Sequence, residues 1–320
     1  MRILSREILK EIEERLSKYM DSEVEFILKI GNYILESGGK RLRPVLVLTF
    51  SKLLKGENEE RDYPIAVAME YLHTASLLHD DVVDGAEKRR GKDSANRVFG
   101  NDTTVLTGDY MYANALYLFS VYGDMDMIRN VSDAVKKMSE GQLLELKKIG
   151  DIDISEKDYF KILEGKTAVL FGSCCYVGTA LGGGTKNQKE SAYNYGLSIG
   201  IAFQLIDDLL DYAADEKKLG KPVCNDLREG KITYPLLSVL TDLSEEEKNF
   251  VKNVIRDLNP DKEHIERVKN MVKERGGFEN TIKKAEEYVN TAVKELENFP
   301  DSEYLKELKE LAKYIVEREF

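Results

Sequence analysis

Apolar residues recur at three- and four-residue intervals along most of the chain. Ile8, Ile12 and Leu16 show the pattern early, and Leu305, Leu308, Ala312, Ile315 and Val316 show it at the end. Ser155 with Asp158, and Ser244 with Glu247, have the spacing of helix-starting caps. "KGENEERDYP" and "NPDKEH" read as connections between helices. No run alternates with period two, and no tight-turn dipeptide joins two alternating runs, so strands are not expected. The pattern predicts an all-α chain of roughly ten or more helices. No low-complexity linker divides it, which predicts a single helical domain over residues 1–320.

Three segments, 65–79, 168–181 and 197–206, are apolar nearly all round, as central helices are. Two of them run into aspartates. The first ends in "LLHDDVVD", with Asp80, Asp81 and Asp84, and the third in "FQLIDDLLD", with Asp207, Asp208 and Asp211. In each cluster the outer carboxylates are four residues apart and share a helical face. The C-terminal end of a helix disfavours negative charge, and the carboxylates repel one another, so local stability explains neither cluster. One such cluster reads as a solvated helix end; two, both closing apolar helices, do not. If the two helices are neighbours, the clusters can face each other across one cavity. Paired carboxylates suit a hard cation such as Mg2+, which keeps several waters and is held by one or two carboxylates plus substrate phosphates. The implied ligand is a polyphosphate bridged through Mg2+.

Charge narrows the field further. A formal net charge of −11 argues against nucleic acid as a partner. An anionic ligand then needs local cations, and these flank both clusters. "GGKRLRP" supplies Lys40, Arg41 and Arg43 ahead of a helix opened by Pro44. Arg89 and Arg90 follow the first cluster; Lys217, Lys218, Lys221 and Lys231 follow the second. Neither a GxxxxGK[ST] loop nor a GxGxxG turn is present. Three cysteines, Cys174, Cys175 and Cys224, make no disulfide framework, so a reducing cytoplasm is expected. The charged N-terminus lacks the apolar core of a signal peptide. The uncharged stretch 167–185 is rich in glycine and hydroxyls and ends in GGG, which predicts a buried helix and its terminus, and no membrane anchor.

The motifs "GGKRLRP" (38–44), "LLHDDVVDGAEKRRG" (77–91), "EGKTA" (164–168), "FQLIDDLLD" (203–211) and "GKPVCNDLREGK" (220–231) occur here in one order. From about residue 30 to about residue 240 the chain resembles the trans-type isoprenyl (polyprenyl) diphosphate synthases, most closely the medium- and long-chain members that make heptaprenyl or octaprenyl diphosphate. The resemblance implies the isoprenoid synthase fold, a helical bundle around a central cavity. It implies Mg2+-dependent head-to-tail (1′-4) condensation of isopentenyl diphosphate with an allylic diphosphate, farnesyl or geranylgeranyl. Three Mg2+ ions are implied, with Asp80, Asp84 and Asp207 as ligands and Asp81, Asp208 and Asp211 in support. Lys40, Arg43, His73 and Arg90 match the isopentenyl diphosphate site. Arg89, Lys166, Thr167, Gln204, Lys221 and Lys231 match the allylic diphosphate side, and Thr167 and Gln204 also face the developing carbocation. His79 is taken as support. A homodimer is implied, as is transient contact of the detergent-like product with a membrane surface and use of the product for quinone side chains. Two departures stand out. Cys224 occupies a position usually held by glycine, which puts the loop and the oxidation of its thiol in question, and "RRGKDSAN" replaces the usual "RRGxPT".

Product length follows from what lies beneath the first aspartate. Ser76 and Ala75 lie about one turn below Asp80 and are small; Leu72 and Tyr71 come next, then Ala68. Tyr71 is the candidate floor of a hydrophobic tunnel, with Phe50 and Val131 as contributors from other helices. The expected product has roughly six to ten isoprene units, with geranylgeranyl diphosphate as the shorter alternative. A terpene cyclase would lack "GGKRLRP" and the second DDxxD. A non-catalytic partner subunit of a heteromeric synthase would have lost aspartates that this chain keeps.

Overall fold

The computed structural model of the protein describes residues 5–213, 224–257 and 259–317. In chain order the α-helices are α1 (Ser5–Lys18), α2 (Glu25–Glu36), α3 (Leu42–Lys55), α4 (Asp62–Val83), α5 (Ala95–Phe99), α6 (Asn101–Tyr122), α7 (Met125–Lys148), α8 (Glu156–Leu163), α9 (Val169–Leu181) and α10 (Lys186–Ala213). They continue as α11 (Asn225–Arg228), α12 (Tyr234–Leu237), α13 (Glu245–Arg256), α14 (Lys262–Glu274), α15 (Gly277–Glu295) and α16 (Glu303–Val316). A π-helical turn, Glu164–Ala168, joins α8 to α9. The all-α expectation therefore holds.

The chain divides into two compact units, and the divisions fall inside α7, α10 and α16, at the start of α9 and at the end of α15. The first takes the described residues of Met1–Val135, Leu170–Gly196 and Leu296–Leu308; the second takes those of Lys136–Val169, Leu197–Glu295 and Lys309–Phe320.

In the first unit α4 is the axial helix. Ile65, Val67, Met69, Tyr71, Leu72, Ala75 and Leu78 are all fully buried, and with Ala66, Glu70 and Thr74, also buried, they cover every side of it, as its largely apolar sequence requires. Each such aliphatic side chain contributes about 1.5–3 kcal/mol of burial. α1, α3 and α6 pack around it. Phe50 of α3 stacks edge-on against Tyr195 and Phe299, at 5.5 and 5.6 Å between ring centroids. The Tyr195 hydroxyl donates to the Leu308 carbonyl at 2.8 Å, tying α10 to α16. α9 is buried as predicted, and its GGG end turns on Gly183 at φ 76°. No described helix is long and apolar enough to cross a membrane.

One expectation fails here. Lys88–Arg89 and Lys92–Asp93 pair as a short antiparallel hairpin, with Lys88 opposite Asp93. Its two loop residues, Arg90 and Gly91, both have positive φ (52° and 80°), as a tight two-residue turn of primed type needs. Arginine rarely takes the left-handed region, so the sequence carried no turn signal. The hairpin sets Arg90 at its tip.

The second unit is built around an aromatic cluster. Tyr159 and Phe160 of α8, Tyr234 of α12 and Tyr288 of α15 lie with ring centroids 5.3–5.8 Å apart. Both predicted caps form. The Ser155 hydroxyl accepts the Asp158 N–H at 3.0 Å, and Ser244 and Glu247 make the reciprocal capping box.

Replacing Ser244→Ala removes an N-cap worth about 1 kcal/mol. Amide hydrogen exchange in the first turns of α13 should accelerate about fivefold. Unchanged exchange there would show that the box is not holding the helix.

Candidate active site

In the first unit, three separate segments meet around His73 of α4. The loop before α3 carries Gly38, Gly39 and Arg41 at positive φ (88°, 155° and 47°). Arg41 accepts that strain because its guanidinium is buried and fully engaged. Nε donates to Glu13 at 2.8 Å, Nη1 to Glu70 at 3.0 Å and Nη2 to the Leu35 carbonyl at 2.6 Å. It anchors the loop and does not open onto a ligand. Lys40 beside it is exposed.

Arg43, in the first turn of α3, lies over the Phe171 ring at 4.6 Å, and its buried Nε has no hydrogen-bond partner. The hairpin tip brings Arg90 against Gly39, where an added Cβ would come within 3.0 Å of its Nη1. Burial pulls both guanidinium pKa values down, and Glu70 offsets this for each. His73 is held well below the ordinary imidazole value, by burial first and then by Arg43, Arg90, Arg89 and Arg41. The result is a neutral histidine in a cationic pocket with an unsatisfied N–H, which suits an anion. Of the four residues matched to the isopentenyl diphosphate site, Arg43 and Arg90 lie near His73, and Lys40 is exposed on the loop before α3.

The first aspartate cluster closes α4. Asp84 is its C-cap, and its N–H still bonds to the Asp80 carbonyl at 2.8 Å, so the helical turn continues through both. Asp80 is half-buried and Asp84 exposed. Asp81 turns inward, is fully buried, and is gripped by Arg89, whose Nε and Nη2 donate to Oδ1 at 2.7 and 2.6 Å. Its Oδ2 is buried with no partner. His79 Nε2 lies 3.1 Å from the Val105 carbonyl and 3.3 Å from Asp109. The Tyr112 phenol of α6 is pushed up to about 12, by burial and then by Asp80 and Asp109. Below, Ala75, Leu72 and Tyr71 are fully buried, and the Ser76 hydroxyl bonds back to the His73 carbonyl at 2.7 Å. The Tyr71 hydroxyl donates to the Leu16 carbonyl of α1, which fixes the ring.

In the second unit the residues of "EGKTA" form the π-helical turn, a geometry that often accompanies functional positions. It packs backbone to backbone on α7; a Cβ on Gly141 would fall 2.7 Å from the Lys166 nitrogen. A hydrogen-bond chain starts there. The Thr167 hydroxyl donates to Gln204 Oε1 at 3.0 Å, Gln204 Nε2 donates to Asp208 Oδ1 at 2.9 Å, and Tyr159 donates to Asp208 Oδ2 at 2.5 Å. The chain fixes which way the Gln204 amide points. Lys166 and Lys231 line the same cavity of about 130 Å³, together with Glu145, Thr167, Gln204, Asp208 and Asp226.

Asp211 serves the backbone. Its carboxylate accepts the N–H groups of Asn225 and Asp226 at 3.0 and 3.1 Å, capping α11. Its carbonyl accepts the Cys224 N–H at 2.9 Å. Cys224 sits at φ 57°, ψ 48°, the left-handed region where glycine is the ordinary choice. Its thiol is fully buried, and burial, with Asp211 after it, pushes its pKa up to about 12, which disfavours the thiolate that oxidation needs. Lys217, Lys218 and Lys221 lie outside the described residues. Glu145, Tyr159 and Asp226 escaped sequence reasoning. Only Asp226, inside a motif already quoted, carried any signal.

The donor set fits a hard dication. Asp208 is held above the ordinary carboxylate range by burial, with Asp207 and Asp211 adding to it, and Asp226 by burial, Asp211 and Asp208. A divalent cation relieves both the burial cost and the mutual repulsion of such carboxylates. Among the described residues no three acidic, imidazole or thiol groups form a ready-made metal cage. Mg2+ in particular does not need one, since it takes few protein ligands and completes its shell with water and phosphate oxygen.

The chain is similar over most of its length to known proteins. A family model described as polyprenyl synthetase matches residues 24–274. The octaprenyl diphosphate synthase of Escherichia coli (strain K12) is 36% identical over 96% of this chain and 95% of its own length. The crystal structure of a decaprenyl diphosphate synthase from Rhodobacter capsulatus superposes with a TM-score of 0.92 at 34% identity, covering 98% of this chain and 97% of that one. A polyprenyl synthase from Caulobacter crescentus CB15, complexed with calcium and isoprenyl diphosphate, superposes with a TM-score of 0.91 at 33% identity, covering 98% of this chain and 95% of that one.

The two arginines of "KRLR" should separate by stability. Arg41→Ala leaves Glu70 buried without its partner and should cost about 3–5 kcal/mol in chemical denaturation. Arg43→Ala, which removes a desolvated group with an unpartnered Nε, should stay within about 1 kcal/mol. Equal losses would contradict the division into anchoring and ligand-facing arginines.

Proposed function

The chain belongs to the polyprenyl synthetase family and is a trans-prenyl diphosphate synthase, and from that premise we propose that it elongates farnesyl or geranylgeranyl diphosphate with isopentenyl diphosphate to a medium- or long-chain all-trans product, of about heptaprenyl to octaprenyl length. Lys40, Arg43, His73 and Arg90 bind the isopentenyl diphosphate. The convergence of Arg43, His73 and Arg90 from three segments, with the Arg43 Nε unsatisfied, is the single observation that carries this reading. A neutral His73 adds a hydrogen bond there without the cost of another buried charge.

Asp80 and Asp84, and separately Asp207, are the residues that would hold Mg2+, while Asp81, Asp208 and Asp211 are kept in place by Arg89, by Tyr159 and Gln204, and by the α11 backbone. When bound, Mg2+ neutralises the allylic diphosphate and stabilises it as a leaving group. Lys166, Lys221, Lys231 and Arg89 provide the protein's share of that stabilisation. The allylic C–O bond breaks with its electron pair on the diphosphate. The oxygens of Thr167 and Gln204 face the carbocation that remains. The isopentenyl double bond then forms the new C–C bond, and a proton passes from the new unit to the released diphosphate. All bonds and charges balance without a side-chain nucleophile.

Length is supported by the small residues Ala75 and Ser76 beneath Asp80, with Leu72 and the anchored Tyr71 below them, and by the octaprenyl-forming relative. α6 supports a homodimer. Its Leu106, Leu116, Tyr117 and Val121 are exposed in the single chain, a stripe that a second copy would cover. Quinone side chains are the proposed use of the product, and the cytoplasm is the proposed compartment.

The purified protein, given Mg2+, farnesyl diphosphate and labelled isopentenyl diphosphate, should make products of about six to ten isoprene units. A product that stops at geranylgeranyl diphosphate would overturn the length assignment, and no elongation would overturn the function. Ala75→Phe should shorten the product; an unchanged length would remove α4 as the ruler. Leu116→Glu with Tyr117→Glu should halve the mass seen by light scattering, and a wild-type dimer that survives both would exclude this face.

A further inference from the structure

Glu145 has no place in the reaction as described, yet it occupies the best-placed position among the cations of the second unit. Its Oε2 lies 2.5 Å from Lys166 Nζ and 3.9 Å from Lys231 Nζ. All three side chains are mostly buried, at 18, 26 and 15% exposure. The placement is built in from the backbone. Gly141 abuts the Lys166 nitrogen, and Glu145 is one helical turn further along the same face of α7, so it meets the Lys166 side chain. A carboxylate oxygen that reaches two ammonium groups does what a bridging phosphate oxygen would do.

We infer that Glu145 is an internal counter-ion that stands in for the allylic diphosphate on Lys166 and Lys231 and must yield them when substrate arrives. This rests on the proposal that these lysines bind that diphosphate. Before substrate binds, Glu145 gives the mostly buried Lys166 ammonium an ion-pair partner, and at Lys231 it adds its charge to that of Glu229, which lies 2.7 Å from the Lys231 Nζ. Burial works against the Lys231 charge, and Glu145 and Glu229 hold its pKa above the usual lysine value all the same. Once diphosphate is bound, the same carboxylate becomes a like charge beside it and weakens its grip. That trade suits a chain-elongating enzyme. Each added unit releases one inorganic diphosphate, and the next cycle waits until it has left. Glu145 is a positioning residue: it touches the lysines and none of the reacting atoms.

The test is calorimetric titration of inorganic diphosphate into the full-length protein in excess Mg2+. Glu145→Gln keeps the shape and removes the charge, and it should bind diphosphate about tenfold tighter. In turnover it should lower KM for the allylic substrate and lower kcat as diphosphate release slows, a split that simple loss of packing does not produce. Glu145→Asp keeps the charge and should stay within about twofold of wild type. Lys166→Ala reports on the underlying assignment and should weaken binding. If Lys166→Ala weakens binding while Glu145→Gln leaves it unchanged or weaker, the counter-ion inference is wrong and the lysine assignment stands. If Glu145→Asp tightens binding as much as Glu145→Gln, packing and not charge is responsible, and the inference is also wrong. If Lys166→Ala has no effect, the diphosphate assignment itself falls, and the inference with it.

Discussion

Carboxylates gathered at the end of an apolar helix are tolerable only if positive charge or hydrogen-bond donors meet them. That constraint organises the functional half of this chain. Asp81 is met by the Arg89 guanidinium, Asp208 by Tyr159 and Gln204, and Asp211 by two backbone N–H groups of α11. Each of these contacts also fixes something else. The first pins the segment leading to the Arg90 hairpin, the second orients the Gln204 amide, and the third ties the turn that carries Lys231 to α10. Keeping repelling charges in place is thus also what positions the cations and dipoles around them.

The cations obey the complementary rule. Arg41 is spent within the fold, locked to Glu13 and Glu70. Arg43 and Arg90 are left facing a neutral histidine, and Lys166 is paired with Glu145. Buried charge therefore falls into two kinds: pairs whose partner is permanent, and cations whose partner is either missing or replaceable. The second kind marks where a diphosphate binds. The acidic chain as a whole would repel such a ligand, so its affinity has to be local and to depend on metal.

Much of this was legible in sequence for a physical reason. Helices apolar on every side must be central, and α4 and α9 are; the serine caps could be read because a hydroxyl three residues before a donor acts locally. The cysteine at position 224 put the loop in question, yet Cys224 keeps the left-handed conformation that a glycine there would take. What was not legible depends on contacts between distant segments. Nothing near Glu145 announces Lys166, and nothing near Tyr159 announces Asp208. Charge alone did not separate Arg41 from Arg43 in "KRLR"; the resemblance picked out Arg43, and burial shows why Arg41 is an anchor. The hairpin at 88–93 was invisible because its turn uses an arginine where asparagine or glycine would normally give the signal.

The central claim is that the counter-charge of the aspartate motifs arrives with the ligand. Its most direct test is a calorimetric titration of Mg2+ into the protein with and without a non-ionisable farnesyl diphosphate analogue. Mg2+ should bind weakly alone and far more tightly with the analogue present, and the analogue should lose its affinity when EDTA removes the metal. Equally tight Mg2+ binding without the analogue, or analogue binding that survives EDTA, would contradict it.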